Sequence, residues 1–294
     1  FKPLHLPGRS LAGEFPKLAA ATGIEREQLL ANSFYLLTPV RDDQPFFLNF
    51  FRWSDLLDPG TITPSHSTAL GQIVLGMLLL TLTLLAGGFI LIPLLFFRRK
   101  GIAGTGGARL GVICYFLSIG LGFIMFEISL IQRFVLFLGY PTYSLGITLG
   151  ALLASTGFGS YFSRRWVGRE NVALPSGVLA IALLGVFYTY GLPTLLSETM
   201  GTPLLVRALI TVAVLVPLGL AMGIFFPLGI RRAASIHPDL IPWAWGINGC
   251  ASVIGGVLAV VLAISFGFSA VWLISIGIYM FGVTEFLTTL RSEA

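Results

Sequence analysis

The sequence predicts an all-α, polytopic membrane protein: about seven transmembrane helices preceded by a short soluble or interfacial segment. Three observations carry that reading. Charged residues make up 11% of the chain and hydrophobic ones 55%, where a soluble domain carries about 25% charge. Mean hydropathy is +0.89. From Ser67 onward the chain becomes a series of apolar runs, each close to or above the roughly 20 residues that a bilayer needs.

Residues 1–66 are a different material. They hold six Lys/Arg and seven of the 13 Asp/Glu. "GIEREQLLANSFYLL" (23–37) reads as a short amphipathic helix, and Pro39, Pro45, Pro59 and Pro64 interrupt the chain beyond it. Such a segment is too small to make a robust core alone. It is expected to be the end of a soluble domain or an interfacial segment.

Residues 67–294 are expected to form the transmembrane bundle. The spans fall near 68–97, 109–138, 142–163, 172–193, 204–228, 243–265 and 267–290. The first two approach 30 residues, so tilt or protrusion is expected. Only "SFGFS" (265–269) separates the last two, which predicts a tight helical hairpin.

Loop charge predicts orientation. The net charge of +5 invites a nucleic-acid reading, but nine of the 18 basic residues sit in three short loops between apolar runs. These are Arg98, Arg99, Lys100 and Arg109; Arg164, Arg165 and Arg169; and Arg231 and Arg232. The intervening connections "LGYPT", "GLPTLLSETMGTP" and "SFGFS" contain no Lys or Arg. The positive-inside rule makes the basic loops cytoplasmic. Residues 1–66 are then outside, the C-terminus inside, and a bacterial inner membrane is the expected location.

Small residues mark helix contacts. Gly146, Gly150 and Ala154 form a ladder at four-residue spacing, as do Gly219 and Gly223, and Ser252, Gly256 and Ala259 keep a similar step. Close backbone approach holds helices together in lipid. Packing within the chain is the ordinary use of such ladders, and docking of a second membrane subunit is the other.

Four polar residues are candidate intramembrane sites. Glu127, in "GFIMFEISLIQRF", is the one acid well inside a span, and an ionisable group there is a functional hypothesis by default. The other reading is structural, a bond to a neighbouring helix or a place near the interface. Gln132 and Arg133 come next on the same helix, but a six-residue separation turns Arg133 about 120° from Glu127. Asn248, next to the interfacial Trp243 and Trp245, suits an interhelical hydrogen bond.

Several functions lose their chemistry. His5, His66 and His237 lie outside the spans, so histidine cannot hold a haem in the bundle. Lys2, Lys17 and Lys100 are the only lysines, none well inside a span, which removes a retinal Schiff base. "GIAGTGGARL" is a short basic connection rather than a phosphate-cradling loop. Cys114 and Cys250, both in apolar runs, suggest no disulfide framework. No catalytic, cofactor-binding or metal-binding residue is assigned.

"PVRDDQPFFLNFFRW" (39–53) resembles the segment after the Rossmann-like domain in membrane-bound spermidine-synthase-like proteins, with Arg41 and Gln44 where Thr and Arg are usual. "EISLIQRFVLFLGYPTYSLGITLGALLASTGFGS", "GIFFPLGIRR" and "WAWGINGCASVIGGVLA" resemble that family's membrane region, with Tyr140 in place of His. The resemblance implies a polyamine-synthase or methyltransferase-type fold joined to membrane helices. The Gly-rich turn of such a fold is not in this sequence, and Asp42 and Asp43 read as turn residues beside Pro45 rather than metal ligands. Such a domain should meet its cofactor in the cytoplasm, whereas loop charge puts residues 1–66 outside; three agreeing loops favour the charge argument.

The expected function is therefore an anchor or scaffold subunit of a larger membrane assembly rather than an enzyme. The alternatives are a transporter-like module, suggested by Glu127, Arg133 and "LVPLGLAMGIFFPLG", and the membrane domain of an aminopropyl- or methyltransferase whose catalytic part lies elsewhere. Expected partners are the lipid bilayer and other membrane subunits, with no nucleic acid. Phe46, Phe47, Phe50, Phe51 and Trp53 make a candidate contact patch.

Overall fold

Among the described residues, seven helices are long and apolar enough to cross a membrane: Gly71–Phe97, Arg109–Leu138, Pro141–Trp166, Glu170–Tyr190, Leu204–Ile236, Leu240–Phe266 and Phe268–Thr288. The computed structural model describes residues 5–6, 9–10, 17, 20–32, 41–46, 70–98 and 107–291. They fall into two units, Phe1–Gly76 and Met77–Ala294. The protein is an all-helical, multi-pass membrane protein with a short N-terminal helix.

In the first unit, β1 (His5–Leu6) and β2 (Arg9–Ser10) pair antiparallel, His5 opposite Ser10. Helix α1 (Gly23–Asn32) covers the first part of the expected amphipathic stretch. Its Ile24 is exposed. Farther on, the Gln44 amide donates to the Arg41 carbonyl at 2.8 Å, which makes Asp42 and Asp43 the centre of a tight turn.

The first span runs through α2 (Leu70–Ala86), a π-helical turn (Gly87–Leu91) and α3 (Ile92–Phe97). Pro93 explains the turn. It has no N–H for the carbonyl one turn back and its ring crowds that carbonyl, so the helix widens there. The remaining elements are α4 (Gly107–Leu138), α5 (Pro141–Phe162), a 3₁₀ turn (Ser163–Trp166), α6 (Glu170–Tyr190) and α7 (Leu192–Thr199). After them come α8 (Leu204–Gly223), α9 (Phe225–Ile236), α10 (Leu240–Phe266) and α11 (Phe268–Arg291). At "SFGFS" a single residue, Gly267 with φ +89°, turns α10 into α11, a conformation that needs glycine.

α4 is the central post and packs against α5, α8, α9, α10 and α11. Glycines set how closely it is approached. A Cβ on Gly120 would sit 2.6 Å from the Asn248 carbonyl, and one on Gly122 would sit 2.6 Å from the Tyr279 ring. Gly219 and Gly223 meet α5 in the same way, since a methyl on Gly223 would run into the Thr156 carbonyl and the Ser160 amide. In the third ladder Ser252 reaches the Gly120 carbonyl at 3.4 Å, and Ala259 is buried. Gly255 rather than Gly256 makes the close approach, against Ile124 and Leu121. The first ladder behaves differently: Gly146, Gly150 and Ala154 are not buried, and a Cβ on either glycine would have nothing within 4 Å.

The first span is the loosest, with only 6% of its apolar window buried in the chain. Its contacts with α10 keep one antiparallel register. Cys250 Sγ donates to the Ala86 carbonyl at 3.7 Å, and Gly246 makes room for Ile90 and Leu94. Trp243 Nε1 donates to the Arg98 carbonyl at 2.8 Å, and Arg98 reaches Asp239 at 3.4 Å. These contacts, together with contact between the 3₁₀ turn and α9, bring Arg98, the Arg164–Arg165 turn and the Arg231–Arg232 helix to one end of the bundle.

Candidate functional site

The fifth span is broken at Ile224, between α8 and α9. The local sequence explains the break. Pro227 supplies no N–H to the carbonyl of Gly223. Gly223 itself is pressed against the α5 backbone, where no side chain fits. Tyr115 Oη, fully buried, donates to the Phe225 carbonyl at 2.8 Å and so ties the first turn of α9 to α4.

Aromatic rings seat the break. Phe225 meets Tyr279 edge-on at 5.1 Å between centroids, and Phe226 lies between Trp245 at 4.5 Å and Phe116 at 5.4 Å. Tyr115 stacks on Phe286 at 4.3 Å. A side chain at position 229 would strike Tyr115 and Phe116, so Gly229 lets α9 settle on α4.

Beside the break is a cleft of about 460 Å³. Ile119, Gly120 and Phe123 of α4 form one wall, and Leu153, Thr156, Gly157 and Ser160 of α5 form another. Met222, Gly223 and Phe225 to Pro227 contribute the broken span, while Trp245, Asn248, Ser252 and Tyr279 line it from α10 and α11. Two of its hydroxyls turn back to the backbone: Thr156 Oγ1 donates to the Leu152 carbonyl and Ser252 Oγ to the Asn248 carbonyl at 2.9 Å. Asn248 Nδ2 donates to the Phe116 carbonyl at 3.3 Å. A largely apolar hollow with a few fixed polar groups suits a small apolar body carrying one or two hydrogen-bonding groups.

The predicted polar residues do not converge on this cleft. Asn248 lines it, joined by Ser252, Thr156 and Ser160. Glu127 sits elsewhere on α4, 5% exposed, and its Oε1 has no hydrogen-bond partner among the described residues. Gln132 faces outward, and the Arg133 guanidinium lies 6.0 Å from the centre of the Trp272 ring. Phe46 is half-buried; Phe47, Phe50, Phe51 and Trp53 lie outside the described residues. Cys114 and Cys250 are free thiols. Among the described residues no group of three His, Cys, Asp or Glu could hold a metal.

Three contributors escaped the sequence reading. Tyr115 looked like one more apolar residue in a run. Thr148, fully buried on α5, also carries an unpartnered oxygen among the described residues. Arg207 Nη1 donates at 2.7 Å to the carbonyl of Phe137 near the end of α4. A signal for Arg207 was present, a lone arginine at the mouth of a span, where helix-terminal carbonyls await donors. Against known proteins, no protein-family model, no curated protein and no solved structure matches the chain.

Proposed function

We propose that this chain is a solute-binding membrane module of the transporter type, taking a small, largely apolar molecule into the cleft at the broken fifth span. The observation that carries the reading is the coincidence of the Gly223–Phe225 break with a hollow in the bundle. Discontinuous helices in transporters leave backbone groups free to meet substrate. Irregular backbone at membrane depth is tolerated where it lines a cavity. Gly157 offers the test. It lines the cleft, and a Cβ there meets nothing within 4 Å, so Gly157→Leu adds bulk at the cleft wall without a clash at its Cβ. A thermal-shift screen of small amphipathic solutes in detergent should stabilise the parent and leave Gly157→Leu unmoved. If no solute stabilises the parent, or if the same solutes stabilise both proteins alike, the reading fails.

The anchor or scaffold reading is favoured by a separate observation. The first span is scarcely buried, and the Gly146, Gly150 and Ala154 stripe faces away from the chain's own helices. Both are surfaces on which other membrane subunits could sit, as in a spermidine-synthase-like protein whose catalytic part lies elsewhere. In either case the clustered basic end is assigned to the cytoplasm, in a bacterial inner membrane.

A further inference from the structure

The cleft at the broken span opens sideways. α5 and α10 both pack on α4, and along their free edges Leu153, Gly157 and Trp245 line the cleft yet stay exposed. All three lie inside candidate membrane spans, so the side they leave open faces the bilayer. A molecule reaching the cleft by this route comes out of lipid.

Two arginines continue the walls of the cleft at the basic end. Leu153, Gly157 and Ser160 step along one face of α5 by four and three residues. The next position on that face is Arg164, one turn and about 6 Å beyond Ser160. Pro227 lines the cleft from α9, and Arg231 follows it four residues on. Both arginines are exposed, and the 3₁₀ turn that carries Arg164 touches α9. Arg164 Cζ lies 5.3 Å from the centre of the Tyr161 ring. That contact uses the face of the guanidinium and leaves its N–H edges for a ligand. Among the described residues no carboxylate pairs with Arg164 or Arg231. Glu170, the nearest acid along the chain from Arg164, accepts from the Gly168 amide at 2.9 Å instead.

We propose that the cleft takes a single-chain lipid with a phosphate head, its chain in the hollow and its phosphate at Arg164 and Arg231. This rests on the reading of the cleft as a solute site and narrows the solute to an amphiphile drawn from the leaflet at the basic end. The cleft is one hollow of about 460 Å³ with a largely apolar lining, which suits one chain. A phosphate monoester carries about −1.5 to −2 charge and three acceptor oxygens, and guanidiniums meet it with paired N–H bonds. Basic pockets at the ends of transmembrane helices hold lipid heads in this way.

The experiment measures binding of tritiated oleoyl lysophosphatidate to the full chain in detergent, with monooleoylglycerol as the same chain without a phosphate. The parent should bind the lysophosphatidate at least about tenfold more tightly than the neutral lipid. Arg164→Gln and Arg231→Gln should each remove about tenfold of that preference, the scale of a lost charge-assisted bond. Arg165→Gln, equally exposed but one position round the turn, should stay within about twofold of the parent. Gly157→Leu should weaken both lipids alike. Equal binding of the two lipids, an equal loss from Arg165→Gln, or inorganic phosphate that competes as well as the lysophosphatidate would each overturn the proposal while leaving the cleft reading in place. Binding of both lipids that Gly157→Leu does not change would sink the cleft reading and the proposal with it.

Discussion

The indole N–H of Trp243 donates to the backbone carbonyl of Arg98 across 2.8 Å. Arg98 closes the first span and Trp243 lies in the first turn of α10, so this bond ties the least buried helix to the bundle. The same antiparallel register places Cys250 on the Ala86 carbonyl. With Cys114→Ser removing the other thiol, Ala86→Cys should form a disulfide with Cys250 under mild oxidation, read as the loss of two free thiols by mass. A pair that stays reduced would show the register to be wrong. Trp243→Phe keeps the ring and loses the bond, which should cost about 0.5–1.5 kcal/mol of stability and slow the cross-linking.

Glycine positions that look alike in sequence should behave oppositely. At Gly223 a methyl meets backbone atoms that cannot rotate away, so Gly223→Ala should destabilise by about 1–3 kcal/mol, the range for overpacking. At Gly150 the added side chain meets nothing, so Gly150→Ala should be neutral or stabilise by up to about 1 kcal/mol through helix propensity. Thermal denaturation in detergent separates them. Equal effects at the two sites would contradict the packing of α5 against α8.

The Gly146 and Gly150 stripe also separates lipid from partner. Gly146→Leu with Gly150→Leu should leave the isolated chain folded, because neither position has a neighbour within 4 Å. If a second subunit docks there, the pair should release it during mild-detergent purification. A complex that survives both substitutions places its contact elsewhere.

Arg207 donates from part-buried surroundings to the Phe137 carbonyl near the end of α4, and its Nε has no hydrogen-bond partner among the described residues. A charge-assisted bond to a helix-terminal carbonyl supports α4 where its own ladder runs out. Arg207→Met should cost about 1.5–3 kcal/mol, with faster amide exchange confined to the end of α4. Unchanged exchange there would mean that the bond does not hold the helix end.

Orientation can be read directly. Cysteines at Gly104 and Gly168 should resist a membrane-impermeant thiol reagent in intact cells, and one at Ser10 should react. The reverse pattern would turn the protein over, leaving the shared basic end intact but its compartment exchanged.

The seven spans were legible in the sequence because membrane insertion is decided by local composition. A run of about 20 apolar residues must hydrogen-bond its own backbone, and the helix is the one way for a single segment to do so. The ends were less legible. The fifth span continues beyond residue 228 to Ile236, and "GLPTLLSETMGTP", read as a connection, contains α7 with Leu192 and Leu196 turned inward. What tertiary structure alone decided is which face of each helix meets another. The Gly146 ladder and the Gly219 pair share a spacing, yet one lies open and the other is filled by backbone. Pro227 and Gly223 signalled a weak point in a helix, but only the rings of Tyr115, Phe116, Trp245 and Tyr279 from other spans turned it into a seated break beside a cleft. Glu127 was visible as a lone acid. Its burial, with Oε1 unpartnered among the described residues, was not, because that depends on which faces of α4 the neighbouring helices cover.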